Sequence, residues 1–346
     1  TADMFNQFSQ QLKQWYPQRD RQQWVLGTLY QIDGPSYRSP GAMMLFNDAG
    51  EQLGLLSGGC LEADIQKKAS QVMRSQRSMT LCYDASDEGD MAFLLGIGCG
   101  GTLHILLQPL TAANHYLQLP VILDALAHRQ RCLFVQKITE QGEVAEADVW
   151  RQDSHNFSAM SAQLGGKNAL LTELHNHRWL VTGVKPPLHL LIVGGGIDAR
   201  PLASLAATLG WEVTLCDPRA ANARREHFMR VTGILRCPPS GLIDEPLFEH
   251  FDAAIVMTHN LQQDADAVAA LQSSAVKYLG LLGPIVRKKQ VLALAGLNEN
   301  TLTVPIAGPA GLRLGGELPE DIALSIIAEC QAVVHRKDAQ SISQRL

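Results

Sequence analysis

The chain has 346 residues, 46% hydrophobic and 18% charged, with a formal net charge of -5. Those values suit a globular protein of about two domains, and they give no support for nucleic-acid or anionic-membrane binding as a main role. No apolar run approaches the roughly 20 residues of a membrane-spanning helix, and the polar opening TADMFNQFSQQLKQWYPQRD lacks the basic-then-apolar order of a secretory leader. The seven cysteines, Cys60, Cys82, Cys99, Cys132, Cys216, Cys237 and Cys330, are odd in number, widely spaced and without a CxxC pair. That argues against a disulfide framework or a zinc ribbon, so a reducing compartment, the cytoplasm, is expected.

Residues 5–16 predict a short amphipathic helix with Phe5, Phe8, Leu12 and Trp15 on one face. Trp24 to Ile32 reads as a buried strand, DGPSYRSPGA as an exposed loop, and Ala42 to Phe46 as a second strand that returns through a hairpin at Asn47 to Gln52. From Leu61 the period becomes helical, with Leu61, Ile65, Ala69, Val72 and Met73 in register over residues 61–76. Met79 to Tyr83 and Thr102 to Pro109 are strand-like and flank an acidic loop. This first unit, residues 1–115, is expected to be mixed α/β with mostly short strands. Residues 116–186 are a connecting segment with strands at Arg131 to Ile138 and Arg178 to Val184, and SHNFSAMSAQLGGKN between them reads as a loop.

Val184 to Pro187 forms a stiff boundary, because two prolines restrict the backbone. After it strands alternate with helices. LHLLIVGGG is a strand ending in glycines, ARPLASLAATLG a helix capped by Gly210, and WEVTLCD a second strand. Ala253 to Met257 and Lys277 to Leu282 are further strands around a helix near 263–273, and a final helix opens at Pro319. The alternation predicts a C-terminal Rossmann-like doubly wound parallel sheet over residues 187–346.

VGGGIDA places Gly194, Gly196 and Ala199 at dinucleotide-loop spacing between strand and helix, with Asp217 ending the next strand. Gly194 would permit the tight turn, Gly196 the approach of a pyrophosphate to the helix N-terminus, and Asp217 would accept ribose hydroxyls. The same glycines could serve packing or another phosphorylated ligand, and Asp198 within the loop would repel a dinucleotide unless turned away or bound to a metal. An NAD(P)-dependent oxidoreductase is therefore one reading.

SGGCLE and GIGCGG each embed a cysteine among glycines. Gly58 and Gly59 precede Cys60 at a helix start, and Gly100 follows Cys99. Glycine clears bulk from the sulfur and frees backbone N–H groups for a ligand, and a helix start favours thiolate. The plainer reading makes both cysteines small fillers of crowded turns, as is expected of the other five. Arg38, on the loop between strands, would meet an anion or water. His259 follows an apolar strand at the carboxyl edge of the sheet, where such folds bind ligands. His175 and His177 have strand spacing but no third ligand for a metal, and Arg287 to Lys289 reads as a solvated helix face.

Taken together, GPSYRSPGAMMLF, LLSGGCLEADI, DASDEGDMAFLLGIGCGGTLHILLQP, LLIVGGGIDARPLASLAATLGWEVTLCDPR, VMTHN, YLGLLG and GPAGLRLGGELPEDIALSIIAE resemble the XdhC/CoxI family of xanthine dehydrogenase accessory factors. The chain departs from that pattern at Ile197-Asp198 and at Pro284-Ile285-Val286. The resemblance implies a chaperone, not itself an enzyme, that binds the pterin-based molybdenum cofactor, holds it during exchange of an oxo for a sulfido ligand, and delivers it to a molybdenum hydroxylase. It implies a cysteine desulfurase as second partner, a homodimer, and Cys60 and Cys99 as the conspicuous thiols. Cys60 would touch the cofactor, carry sulfur to it, or shape the turn.

Overall fold

The computed structural model describes residues 7–36, 38–57, 59, 61–84, 101–139 and 142–343. The chain divides into two compact units, Thr1–Pro186 and Pro187–Leu346.

The first unit opens with helix α1 (Phe8–Trp15), strands β1 (Trp24–Asp33), β2 (Met43–Asn47) and β3 (Gln52–Gly54), helix α2 (Glu62–Ser75), and strands β4 (Met79–Asp84) and β5 (Thr102–Leu110). The strands form an antiparallel sheet of order β3-β2-β1-β5-β4. Ile65, Ala69, Val72 and Met73 of α2 recur at helical spacing and bury against Val25, Leu29, Phe46, Ile105 and Leu107 on one face. Leu12 and Trp15 of α1 cover the other face with Leu26 and Leu45.

Residues 116–186 fall in this same unit. They supply α3 (Leu119–Ala127), β6 (Cys132–Lys137), β7 (Ala147–Arg151), α4 (His155–Leu164), β8 (Ala169–Leu174) and β9 (His177–Val184), with a second antiparallel sheet of order β7-β6-β9-β8. The two sheets meet through Gln136, whose Nε2 donates to Thr28 Oγ1 at 3.0 Å and to Gln108 Oε1 at 3.1 Å. The expected loop at SHNFSAMSAQLGGKN is instead α4. Ser154 Oγ caps it by accepting from Phe157 N, Gly165 ends it at φ +55°, and Phe157, Met160 and Leu164 bury against Leu133, Val135 and Val181. Only three apolar side chains mark its buried stripe, and the polar residues between them hide it.

The second unit contains β10 (His189–Val193), α5 (Ala199–Thr208), β11 (Glu212–Cys216), β12 (Gly233–Leu235), β13 (Ala253–Val256), α6 (Leu261–Leu271), β14 (Tyr278–Leu281), α7 (Ile285–Leu294), β15 (Ile306–Ala307) and α8 (Pro319–Val334). All six strands are parallel in the order β12-β11-β10-β13-β14-β15, the doubly wound Rossmann-like order that the alternation predicts. Leu202 of α5 and Ile326 of α8 pack on one face with Ile192 and Ile255, and Val268 of α6 and Val291 of α7 on the other with Leu191 and Leu279. Burial on both faces explains why β10 reads as an unbroken apolar run. The strand order reverses between β10 and β13, which opens a crevice at their carboxyl ends. Arg287 to Lys289 is not simply a solvated face. Arg287 reaches the buried Asp264, its Nη2 lying 2.5 Å from Oδ2, and Lys288 pairs with Glu299.

Candidate functional site

In the first unit three motif-bearing segments leave the five-stranded sheet at one end. Asp33, ending β1, and Asp84, ending β4, both stand opposite Thr102, which begins β5. The loop from β1 to β2 therefore springs from the same end as the segment between β4 and β5. β3 runs antiparallel to β2 and leads the chain toward that end, into Ser57.

There the local structure is set by Ser57 and Glu62, both almost fully buried. Glu62 Oε1 accepts from Leu56 N at 3.1 Å and Ser57 N at 2.8 Å, its Oε2 accepts from Ser57 Oγ at 2.7 Å, and Ser57 Oγ accepts from Leu61 N at 3.0 Å. Burial pushes the Glu62 carboxyl up, but the hydrogen bonds from Ser57 and Leu56 outweigh it and hold it below its ordinary value. Between the two residues, Gly59 has φ +103° with open space where a side chain would stand, so conformation alone requires glycine. Tyr83 Oη donates to Asp64 Oδ2 at 2.8 Å and ties α2 to β4. Gly101, the last glycine of GIGCGG, packs on the loop after β1; a Cβ there would lie 2.3 Å from Pro35 O. Cys60, Gly58, Cys99 and Gly100 lie outside the described residues. Glu62 does not stand out in the sequence, although a serine five residues before a glutamate across glycines is an available signal.

Arg38 stands on the loop between β1 and β2 and lines a cavity of about 330 Å³. Its guanidinium makes no hydrogen bond or ion pair among the described residues, and its Nε is buried.

In the second unit the candidate residues gather at the crevice between β10 and β13. Gly194 has φ +112°, and a Cβ there would strike Met257 O at 2.5 Å, so the turn needs glycine. Asp217 is fully buried, and its carboxylate is filled from its own chain. Oδ2 accepts from Gly195 N at 2.8 Å, Arg219 Nη2 at 2.7 Å and Asn222 Nδ2 at 3.2 Å, and Oδ1 from Arg219 N and Nε, each at 2.9 Å. Burial raises this carboxyl, but the Arg219 guanidinium and the other donors hold it below its ordinary value. His259, at φ +61°, meets Asp198, with Nε2 2.7 Å from Oδ2. Asp198 Oδ1 has no hydrogen-bond partner among the described residues and lies 2.6 Å from where a Cβ on Gly196 would stand. Thr258 anchors the same rim through Asp264, whose Oδ1 accepts from Thr258 N at 3.1 Å and from its Oγ1 at 2.5 Å. Sequence reading missed Arg219, Thr258, Asp264 and Arg287: Arg287 lies 23 residues from Asp264, and the nearer pairs Asp217–Arg219 and Thr258–Asp264 meet only because the folded turns point their side chains at one another.

Among the described residues no group of three or more His, Cys, Asp or Glu is placed to hold a metal ion. His175 and Asn176 form the two-residue turn between β8 and β9, both at positive φ, while His177 opens β9. Cys132, Cys216 and Cys330 are buried, as packing cysteines should be, whereas Cys82 is exposed. Cys216 and Cys237 approach to 3.9 Å between sulfurs.

Residues 18–84 match the model of the XdhC and CoxI family, and residues 190–330 that of the XdhC Rossmann domain. The chain is similar to a probable subunit of xanthine dehydrogenase from Bacillus subtilis (strain 168), at 31% identity over 90% of this chain and 93% of the relative. It is also similar to the molybdenum cofactor insertion chaperone PaoD of Escherichia coli (strain K12), at 26% identity over 91% of this chain and 85% of that one. The crystal structure of a xanthine dehydrogenase from Bacillus halodurans matches with a TM-score of 0.78 and 28% identity, covering 96% of this chain and 98% of the other. With two family models met in order and a 31% identical relative spanned almost end to end, the chain belongs to the XdhC and CoxI family.

Proposed function

We propose that the chain is an accessory factor that binds the molybdenum cofactor as cargo, supports its sulfuration, and inserts it into a xanthine dehydrogenase-type molybdenum hydroxylase. The observation that carries the reading is the departure of the Arg38 loop, the Ser57–Glu62 turn and the segment ending at Gly101 from one end of one sheet. These are the segments whose glycines and cysteines the cargo would engage. The relative named as a molybdenum cofactor insertion chaperone supports the same cargo.

In this reading the Ser57–Glu62 hydrogen bonds hold the α2 start in a fixed shape. Cys60 and Cys99 offer soft sulfur beside the molybdenum dithiolene, and Gly58, Gly59 and Gly100 leave room for it. Cys60 either contacts the cofactor or carries the sulfur that a cysteine desulfurase supplies. A homodimer working in the cytoplasm completes the proposal, and the described residues hold no helix long and apolar enough to cross a membrane.

The dinucleotide alternative meets two obstacles at the Rossmann-like crevice. The acid that would take ribose hydroxyls is saturated by five donors, and Asp198 sets a carboxylate beside Gly196, where pyrophosphate would approach.

Extraction of the purified protein followed by fluorescence of the oxidised pterin tests the proposal directly. Pterin is expected with the parent chain and strongly reduced in Cys60→Ala/Cys99→Ala. A parent free of pterin after expression in a cofactor-producing host would sink the function, and a variant with undiminished pterin would sink the site.

A further inference from the structure

We propose that the cavity beside Arg38 is a binding site for a phosphate group carried by a small molecule. Its walls come from separate elements. Ser9 belongs to the first turn of α1, Arg38 and Gly41 to the loop between β1 and β2, Thr182 to β9, and Lys185 follows that strand. Two cations and no carboxylate are among the described residues that line it, in a chain of net charge -5. The N-terminal end of an eight-residue helix adds its positive partial charge at the same place.

Three buried polar atoms of the walls have no hydrogen-bond partner among the described residues. Ser9 is 5% exposed and Thr182 4%, yet among the described residues neither hydroxyl has a hydrogen-bond partner, and neither does Arg38 Nε. Buried polar groups are nearly always satisfied, so three unsatisfied ones around one concave space call for a ligand rich in acceptors. Phosphate fits that demand better than carboxylate, because its oxygens diverge toward several walls at once and its charge suits an arginine fork. Gly41, at φ +90°, brings the loop against β8 and β9, where a Cβ would lie 2.9 Å from that of Ala169 and 3.0 Å from Thr182 Cγ2. At about 330 Å³ the space exceeds what a bare phosphate needs and falls in the range of small-molecule sites.

The phosphate could belong to the pterin cofactor or to a separate phosphorylated metabolite. The experiment titrates the full chain with inorganic phosphate by calorimetry, with acetate as the control anion. Saturable phosphate binding is expected, weakened at least about tenfold in Arg38→Gln and several-fold in Thr182→Val, with Arg38→Lys keeping part of it. Lys185→Gln, a change at an exposed position, provides a second variant should Arg38→Gln not fold. Absence of phosphate binding, equal binding by folded variants and parent, or acetate binding as tight as phosphate would overturn the site. Measuring pterin content in the same proteins separates the sources. Pterin lost in Arg38→Gln and displaced by phosphate assigns the site to the cofactor's own phosphate; pterin retained beside bound phosphate assigns it to another metabolite. The site does not rest on the chaperone reading, since a chain without pterin would still bind phosphate.

Discussion

Glu62 and Ser57 hold one another across the start of α2. The serine hydroxyl and amide both donate to the glutamate carboxylate, and the same hydroxyl accepts from Leu61 N. A carboxylate with three intrachain donors, buried at the end of a sheet, fixes a turn that glycine alone would leave loose. Glu62→Ala strands the amides of Leu56 and Ser57, and a loss of about 2–4 kcal/mol is expected by urea unfolding. The pterin content of the same variant should fall even under conditions where it remains folded.

The pH dependence follows from the same contact. The folded carboxyl of Glu62 lies below its ordinary value of 4.5, so the folded state binds fewer protons than the unfolded one between the two values. Its stabilisation is complete above that ordinary value and is lost as pH falls through the folded one. Asp217 acts in the same sense below its ordinary value of 3.8. Stability should therefore decline on acidification from about pH 5, and Glu62→Gln should flatten part of the decline in unfolding midpoints measured at stepped pH.

In the second unit Arg287 Nε and Nη2 both donate to Oδ2 of the buried Asp264, whose Oδ1 accepts from Thr258. Arg287→Ala leaves a carboxylate without its counter-charge, and a loss of about 3–5 kcal/mol is expected. Thermal unfolding of the variant measures it, and an unchanged midpoint would refute the role.

The crevice between β10 and β13 should refuse nicotinamide cofactors. Calorimetric titration of the parent with millimolar NAD(H) or NADP(H) is expected to give no saturable heat. Tight binding would restore the oxidoreductase reading.

The thiols should separate by burial. Desolvation pushes Cys132 to about 11 and Cys330 to about 12, and Cys216 is raised further by burial and by Cys237 beside it. In native protein these three should resist a thiol-specific chromogenic reagent while the exposed Cys82 reacts promptly, and all should react after denaturation. Prompt native reaction of Cys132 would contradict its buried place in β6.

Much of the architecture was legible in the residues themselves. Periodicity marked α2, because four buried side chains recur at helical spacing, and β10, because a strand covered on both faces must be apolar throughout. Glycine spacing located the turn at Gly194, where positive φ and close approach to Met257 leave no alternative. Tertiary structure decided what pattern cannot encode. α4 hides in a polar stretch because only Phe157, Met160 and Leu164 face the sheet. His115, Tyr116, Leu117 and Gln118 take left-handed φ values of 51–62° without a glycine among them, a conformation local preference opposes. Asp217 has the expected position in sequence, yet the fold brings Gly195, Arg219 and Asn222 onto its carboxylate. Ser9, Arg38 and Thr182 share one cavity although up to 173 residues separate them in the numbering. Local sequence sets which backbone shapes are available, whereas hydrogen-bond partners and cavity walls come from chain crossings that only the folded core determines.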